Sequence, residues 1–277
     1  MSIDREHAFQ ALWAARYRDE QMPDEVASNE VMHSLLGHRS VRSYLQRSVP
    51  DDVLVAAIAA AQSASTSSNL QAWSVVAVTD PLRKARLAAL AGKQRHVEEA
   101  PLFLAWVLDL SRLRRAGESK RKATDGLDYL ESFVVGAVDT TLAAQNAAVA
   151  FESFGLGLVY IGGMRNRPEA VGQELGLPES SMVLFGMCIG YPDLDQLPAI
   201  KPRLPQAVVL HREQYDVAAE SASVEAYDQR VFDYMRERGD TGGTWTDVAV
   251  ERVRGPESLS GRDRLRDALS ALAFKLL

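Results

Sequence analysis

The sequence is poor in the residues that build disulfides and metal sites. It has a single cysteine, Cys188, and five scattered histidines among 277 residues. One cysteine cannot form an intramolecular disulfide or a cysteine-cluster metal site, and it favours a reducing compartment. The histidines lack the spacing of metal ligands, so we expect no metal. Cys188 lies in an apolar run, which predicts an inert, buried thiol.

The chain also lacks an excess of positive charge and long apolar runs. Its formal net charge is -6, whereas a surface adapted to nucleic acid needs a broad field of lysine and arginine. Its first ten residues, MSIDREHAFQ, have no apolar run that could serve as a secretory signal. No stretch approaches the ~20 apolar residues of a membrane span. We therefore expect a cytoplasmic protein with neither nucleic acid nor membrane as a partner.

The common catalytic motifs are absent as well. The sequence has no G-x-x-x-x-G-K-[ST] loop, no strand-linked G-x-G-x-x-G, no G-x-S-x-G and no H-E-x-x-H. Asp139, Gln145 and Asn146 interrupt a long apolar helix and are predicted to be hydrogen-bonded packing residues. No side chain is marked by its context as a nucleophile or a base.

Hydrophobic patterns predict interleaved helices and strands. Strands are expected at residues 73–79, 102–110, 158–161 and 182–189, and helices at 5–17, 30–36, 50–64, 81–92, 130–154 and after Pro168. Residues 113–128 are strongly charged and are expected to form a mobile surface segment. The helix at 130–154 is apolar nearly all round, and such a helix is buried in a large core or against another subunit.

Four segments carry side chains or backbone suited to an anionic, flat ligand. Residues 38–42 place two guanidinium groups beside an imidazole and a hydroxyl, a set that binds phosphate; a solvated basic turn is the alternative. Residues 201–203 (Lys-Pro-Arg) form a second such pair or a polar linker. Gly162 and Gly163 end a predicted strand, where a ligand can approach the backbone or the chain simply turns. Residues 65–69 are a polar loop that could equally face a ligand or solvent.

Taken in order, these segments resemble a known family. The succession HRSVR, the Ser/Thr loop with Leu70-Gln71, GKQRHV, GLGLVYIGGMRN, FGMCIGYP and KPRLP is similar to that of the group A oxygen-insensitive nitroreductases and the related NADPH-flavin oxidoreductases. The resemblance implies an α+β fold with a central, mainly antiparallel sheet wrapped by helices, in an intertwined homodimer. It also implies an N-terminal helical extension (1–29), an FMN-binding core (30–215) and a C-terminal helical extension (216–277).

The same resemblance assigns site residues. Those expected to bind FMN are His38, Arg39, Ser40, Arg42, Thr66, Ser67, Gln71, Gln94, Tyr160, Ile161, Gly162, Gly163, Lys201 and Arg203. Those expected near the nucleotide or the acceptor are Ser68, Asn69, Arg238 and Leu259. Arg42 or Lys201 is expected to stabilise the anionic reduced flavin by its charge.

The implied activity is that of an FMN-dependent NAD(P)H oxidoreductase. Nitroaromatics, quinones or similar electron-poor acceptors would be reduced by a two-electron ping-pong mechanism in which the flavin carries the hydride at N5. A flavin reductase that supplies reduced FMN is the enzymatic alternative, and a non-catalytic FMN-binding dimer is the alternative of another class. Asn69 stands where the family commonly has an aromatic residue, and Leu259 lies in a segment that lacks the family's cationic residues. NADPH and NADH both remain open as the donor.

Overall fold

The computed structural model describes residues 3–18, 21–23, 25–218 and 220–277. Within these ranges the chain forms one sheet and a series of helices. The strands are β1 (Trp73–Val78), β2 (Leu102–Asp109), β3 (Gly157–Ile161) and β4 (Ser181–Gly190). The helices are α1 (Ile3–Tyr17), α2 (Glu30–Gly37), α3 (Asp51–Gln62), α4 (Pro81–Leu90), α5 (Arg95–Glu99), α6 (Ser111–Lys120), α7 (Leu130–Ser153), α8 (Pro168–Leu175), α9 (Gln206–Val209), α10 (Glu220–Arg236), α11 (Trp245–Arg252) and α12 (Leu265–Ala271).

The chain divides into two compact units. Met1–Arg39 and Ala199–Leu259 form one unit, here called the helical unit, and Ser40–Pro198 with Ser260–Leu277 forms the other, the sheet unit. Each unit therefore combines an early and a late stretch of the sequence. The boundaries expected from the sequence, after residues 29 and 215, stay predictions.

The sheet is antiparallel throughout and covered on both faces. Its strand order is β1-β2-β4-β3, and every residue of β2 is buried. Leu104 and Trp106 pack in a cluster with α3 and α7, whereas Phe103 and Ala105 belong to a second cluster with residues of α4 and α8, because side chains alternate along a strand. The α+β architecture with a central sheet wrapped by helices is thus confirmed.

Helix α7 is the central helix of the sheet unit. By length and composition it could cross a membrane, yet it lies against α3 and the sheet, where Ala143, Ala147 and Phe151 are fully buried. Its other side carries a row of exposed apolar residues, Leu130, Val134, Val138 and Leu142, which are 42–51% accessible. The sequence predicts a helix that is apolar nearly all round. In this chain one side of that helix packs on the core and the other side is exposed.

The charged stretch expected to be a mobile surface segment is largely helical. It contains most of α6, and ion pairs tie it down: Arg114 and Lys275 lie 2.7 and 2.6 Å from the carboxylate of Asp128. These two hydrogen-bonded cations, Lys275 first, lower the pKa of Asp128. The prediction of mobility rested on charge alone and missed the pairing of opposite charges.

One glycine of β4 tests how tightly the sheet packs. A Cβ on Gly186 would overlap the ring of Phe103 and lie 3.4 Å from Ile161 Cβ. We expect Gly186→Ala to lower the free energy of unfolding by about 1–3 kcal/mol, the cost of overpacking a core. Gly126→Ala is the control, because nothing lies within 4 Å of its Cβ position. Urea denaturation at matched protein concentration measures both, and equal losses would contradict this packing.

Candidate functional site

Arg16 organises the site residues of the helical unit. Its side chain is 5% exposed and donates hydrogen bonds to the carbonyl oxygens of Lys201 (2.8 Å), Leu36 (2.7 Å) and His38 (2.9 Å). The backbone N–H of Arg203 donates to the Arg16 carbonyl at 2.9 Å. One buried guanidinium therefore holds His38 and the segment 201–203 together in this unit.

The cationic heads of these segments are accessible. Lys201 and Arg203 are exposed, and His38 and Arg39 are half-buried. Buried Tyr227 donates from its hydroxyl to the carbonyl of Pro202 at 3.1 Å, which fixes the turn between the two cations. The segment thus presents positive charge from a rigid backbone.

The two predicted substrate residues of the helical unit lie in other elements. Arg238 follows α10 and is exposed, with its guanidinium 4.8 Å from the ring centroid of Tyr234. Leu259 is half-buried and ends the short 3-10 turn Pro256–Leu259. Both residues remain predictions as contacts of a nucleotide or an acceptor.

In the sheet unit, the segment that begins at Ser40 adds to the edge of the sheet. Ser40 pairs in parallel with Leu158 of β3, and the Val41 N–H donates to the Leu158 carbonyl at 2.9 Å. Val41 fills the space where a Cβ on Gly157 would lie, at 2.6 Å from its Cγ2. Arg42, which is exposed, is thereby fixed beside β3.

Strand β3 ends at Ile161, and a 3-10 turn begins at Gly162. Tyr160, Ile161, Gly162 and Gly163 are here called the glycine wall. A Cβ on Gly163 would overlap the Ala91 carbonyl oxygen and lie 2.6 Å from Gln94 Nε2. Gln94 Nε2 also donates to the Ala91 carbonyl at 2.8 Å, so the wall and Gln94 are in contact. Gly163 is required by packing, whereas no atom lies closer than 3.5 Å to a Cβ on Gly162. Gly162 carries no side chain of its own, and an added Cβ there would be in ordinary van der Waals contact with side-chain atoms only.

Two guanidinium groups flank Gly162. Arg165 Nη2 and Arg262 Nη1 lie 3.5 and 3.7 Å from the position that a Cβ on Gly162 would take. Burial lowers the pKa of Arg165, and the charge of Arg262 lowers it further. Arg165 also donates a hydrogen bond to the Leu184 carbonyl oxygen, which holds its guanidinium in this position.

The polar loop at residues 66–71 is strained and anchored from beneath. Ser68, Asn69 and Gln71 have φ of 49°, 54° and 50°, a region that costs about 1–3 kcal/mol per non-glycine residue. Asp139 of α7, fully buried, accepts hydrogen bonds from the N–H groups of Ser67 and Ala72, both at 3.1 Å. The loop itself is exposed, so its buried anchor fixes a surface conformation.

The loop and the glycine wall are separate within this chain. In the part of the chain that the structure describes, no hydrogen bond joins residues 66–71 to the wall. Both are tied to α7 instead, because Tyr160 donates from its hydroxyl to Gln145 Oε1 at 3.2 Å. Asn146 donates to the Ala60 carbonyl at 3.1 Å. The prediction of hydrogen-bonded packing residues is confirmed for Asp139, which is buried, whereas Gln145 and Asn146 are hydrogen-bonded but exposed.

The titratable groups near the wall are held neutral. Burial, and then the charge of Glu152, raises the pKa of Tyr160. Burial and then Arg42 lower the pKa of His96, whose Nε2 is buried and lacks a hydrogen-bond partner among the described residues. Burial raises the pKa of Cys188, which is fully buried as predicted. None of these groups supplies a ready acid or base.

Sequence reasoning missed three arginines. Arg16 lies seven residues after Phe9 on the apolar face of α1, and a cation on such a face is a detectable signal of a buried partner. Arg165 and Arg262 are far apart in the sequence and meet only at Gly162. Their role could not be read from local pattern.

Comparison with known proteins identifies the family. The family model described as "Nitroreductase family" matches residues 35–191. A second model, "Nitroreductase family, C-terminal domain", matches residues 201–277. The chain belongs to the nitroreductase family. The family resemblance predicted from the order of motifs is thus confirmed.

Three relatives of this nitroreductase-family chain are informative. It is 41% identical to an FMN reductase [NAD(P)H] of Bacillus subtilis over 90% of this chain and 99% of that protein. It is 39% identical to the oxygen-insensitive NADPH nitroreductase of Salmonella typhimurium over 77% of this chain and 86% of that protein. The structure of the NADPH:FMN oxidoreductase from Vibrio harveyi, complexed with NAD+, superposes on this chain with a TM-score of 0.79. The two sequences are 37% identical, and the match covers 89% of this chain and 99% of that one.

Removing the anchor of the loop should be costly. We expect Asp139→Ala to lower the free energy of unfolding by about 3 kcal/mol, because two N–H groups lose a charged acceptor. Hydrogen exchange at Ser67 and Ala72 should accelerate. The control on the same helix is Asn146→Ala, which removes one exposed hydrogen bond and should cost below about 1 kcal/mol. Similar losses for the two variants would argue against the anchor.

Proposed function

We propose that this chain is an FMN-dependent NAD(P)H oxidoreductase that reduces nitroaromatics, quinones or similar electron-poor acceptors. Its membership of the nitroreductase family and the names of its relatives support this assignment. The observation that carries it in the molecule is the backbone at Gly162, where the guanidinium groups of Arg165 and Arg262 lie 3.5 and 3.7 Å from the Cβ position. An anionic group fits that arrangement, since the cations offer charge and the glycine adds no side chain of its own.

The residues present fit FMN. Its phosphate requires cations, and the helical unit offers Arg39, Lys201 and Arg203, although the chain as a whole is acidic. Its flat ring requires a wall without side chains, as at Gly162. The residues proposed to hold it are His38, Arg39, Ser40, Arg42, Thr66, Ser67, Gln71, Gln94, Tyr160, Ile161, Gly162, Gly163, Lys201 and Arg203.

When bound, FMN would supply the redox chemistry by taking two electrons from NAD(P)H and giving them to the acceptor. The protein's own part is orientation and charge. Arg42 or Lys201 is proposed to stabilise the reduced flavin by its charge, and Arg165 and Arg262 add positive charge beside Gly162. Ser68, Asn69, Arg238 and Leu259 are proposed to contact the nucleotide or the acceptor, and Arg238 is the candidate for the 2′-phosphate of NADPH.

The site is proposed to be completed by a second copy of the chain. Two observations support a homodimer: α7 exposes the row Leu130, Val134, Val138 and Leu142, and the loop at residues 66–71 has no hydrogen bond to the glycine wall within the described chain. A partner's loop could then close the wall of the first protomer. A continuous apolar row on a soluble helix is typical of such an interface.

A flavin reductase that releases reduced FMN is the second candidate. The FMN reductase of Bacillus subtilis favours it, because it is 41% identical over 90% of this chain. The two candidates share the fold and the cofactor and differ in the acceptor. We further propose a cytoplasmic location, which the single buried thiol supports.

The assignment is tested by reconstitution with FMN. We expect a yellow protein whose flavin absorbance is bleached by NADPH or NADH under anaerobic conditions and restored by a nitroaromatic or a quinone. Steady-state rates with a quinone and with added free FMN separate the two candidates. A protein that stays colourless after reconstitution would refute the enzyme assignment.

The dimer is tested on the exposed face of α7. Val138→Asp should weaken the dimer in analytical ultracentrifugation and lower FMN retention, because a carboxylate would be buried in an apolar interface. Val248→Asp on α11 is the matched control, since Val248 is 60% exposed and Val138 is 49% exposed. A monomeric wild-type protein, or an unchanged dimer in Val138→Asp, would contradict the proposal.

A further inference from the structure

A cleft of about 800 Å³ lies beside the glycine wall in the sheet unit. Three backbone segments meet there at Asn166. Its Nδ2 lies 3.5 Å from the Cβ position of Gly92, and its carbonyl oxygen lies 3.4 Å from that of Gly261. Gly163 of the wall packs on Ala91, and the next residue, Gly92, lines the cleft. The cleft and the wall are therefore adjacent. Its volume is in the range of small-molecule sites.

The lining of the cleft carries surplus positive charge. Arg264 is neutralised by Glu169, with Nη2 2.6 Å from Oε1. Lys93 and Arg167 also line the cleft and are exposed, and no carboxylate among the described residues forms an ion pair with either. Two such cations in one concavity of a protein with net charge -6 mark a local anion site.

The rest of the lining is suited to a base or a sugar. Ala89, Leu90 and Ala170 contribute apolar surface and Gln173 contributes an amide. Lys93 is held in place, since its backbone has φ 58° and its N–H donates to the Ala88 carbonyl at 2.8 Å at the end of α4. Apolar surface beside fixed cations is the chemistry that recognises a nucleotide.

We propose that this cleft binds a phosphate group of the nucleotide that reacts at the glycine wall, through Lys93 and Arg167. The inference rests on the proposed function. Three phosphates share this chemistry: the pyrophosphate of NADH and NADPH, the 2′-phosphate of NADPH, which the cleft would then hold in place of Arg238, and the 5′-phosphate of free FMN taken as acceptor. The shared chemistry is the charge-assisted hydrogen bond.

The test compares two double variants of the FMN-loaded protein. Lys93→Ala/Arg167→Ala removes the cleft cations, and Lys120→Ala/Lys122→Ala removes two exposed cations elsewhere in the sheet unit. Calorimetry gives the Kd for NAD+ and NADP+, and kinetics give the KM for free FMN. The cleft variant should raise at least one of these three constants by about 10-fold to 100-fold. The control should change none by more than about 2-fold at 0.15 M salt, where distant charges are screened.

Which of the three constants rises identifies the phosphate that the cleft binds. Equal weakening for NAD+ and NADP+ assigns the pyrophosphate, weakening for NADP+ alone assigns the 2′-phosphate, and a raised KM for free FMN alone assigns the flavin phosphate. The charge-preserving Lys93→Arg/Arg167→Lys variant should retain most of the affinity, which separates loss of charge from misfolding.

Two results would overturn the inference. Unchanged constants in the cleft variant, with a wild-type flavin that NADPH or NADH bleaches, would refute the cleft and leave the function standing. A wild-type protein that holds no FMN and binds no nucleotide would refute both.

Discussion

The carboxylate of Asp139 is the interaction on which the geometry of the sheet unit depends. A buried charge is tolerated only when hydrogen bonds replace its water, and here the N–H groups of Ser67 and Ala72 do so. The same bonds hold three residues in left-handed backbone on an exposed loop. Because Gln145 of the same helix accepts the hydroxyl hydrogen of Tyr160, α7 fixes both the loop and the glycine wall. The helix therefore sets the positions of two site components that do not hold each other.

Charge is concentrated against the overall balance of the chain. A protein with net charge -6 brings Arg165 and Arg262 to one glycine, and its helical unit holds Lys201 and Arg203 on a backbone fixed by a buried arginine. Repulsion between neighbouring cations is unfavourable in the free protein and is relieved when an anion binds. Such sites favour the ligand state with more negative charge, which is the reduced state in the proposed flavin chemistry.

Much of this architecture could be predicted from the sequence because its signals are local. The strands β2 and β4 are covered on both faces, so they read as continuous apolar runs, and Gly163 and Gln94 lie in recognisable motifs. The rest depends on distant partners. Nothing near Arg262 indicates that it meets Gly162, and nothing in the charged residues of α6 indicates that Arg114 pairs with Asp128. Gly162 and Gly163 look alike in the sequence, yet only Gly163 is required by packing against Ala91.

Three titratable groups near the glycine wall are uncharged, which limits how the protein can select its acceptor. Tyr160 and Cys188 keep their protons and His96 stays uncharged, each chiefly because of burial. These three groups near the wall therefore offer no ready acid or base. Under the proposed function, the selection of acceptors is assigned to shape and charge at exposed positions, such as Asn69 in the anchored loop and Lys93 in the cleft. The anchor at Asp139 bonds to the backbone N–H groups of Ser67 and Ala72, so it does not depend on the side chain that Asn69 presents. A fixed backbone with variable exposed side chains thus lets one fold keep its cofactor geometry while its substrates differ.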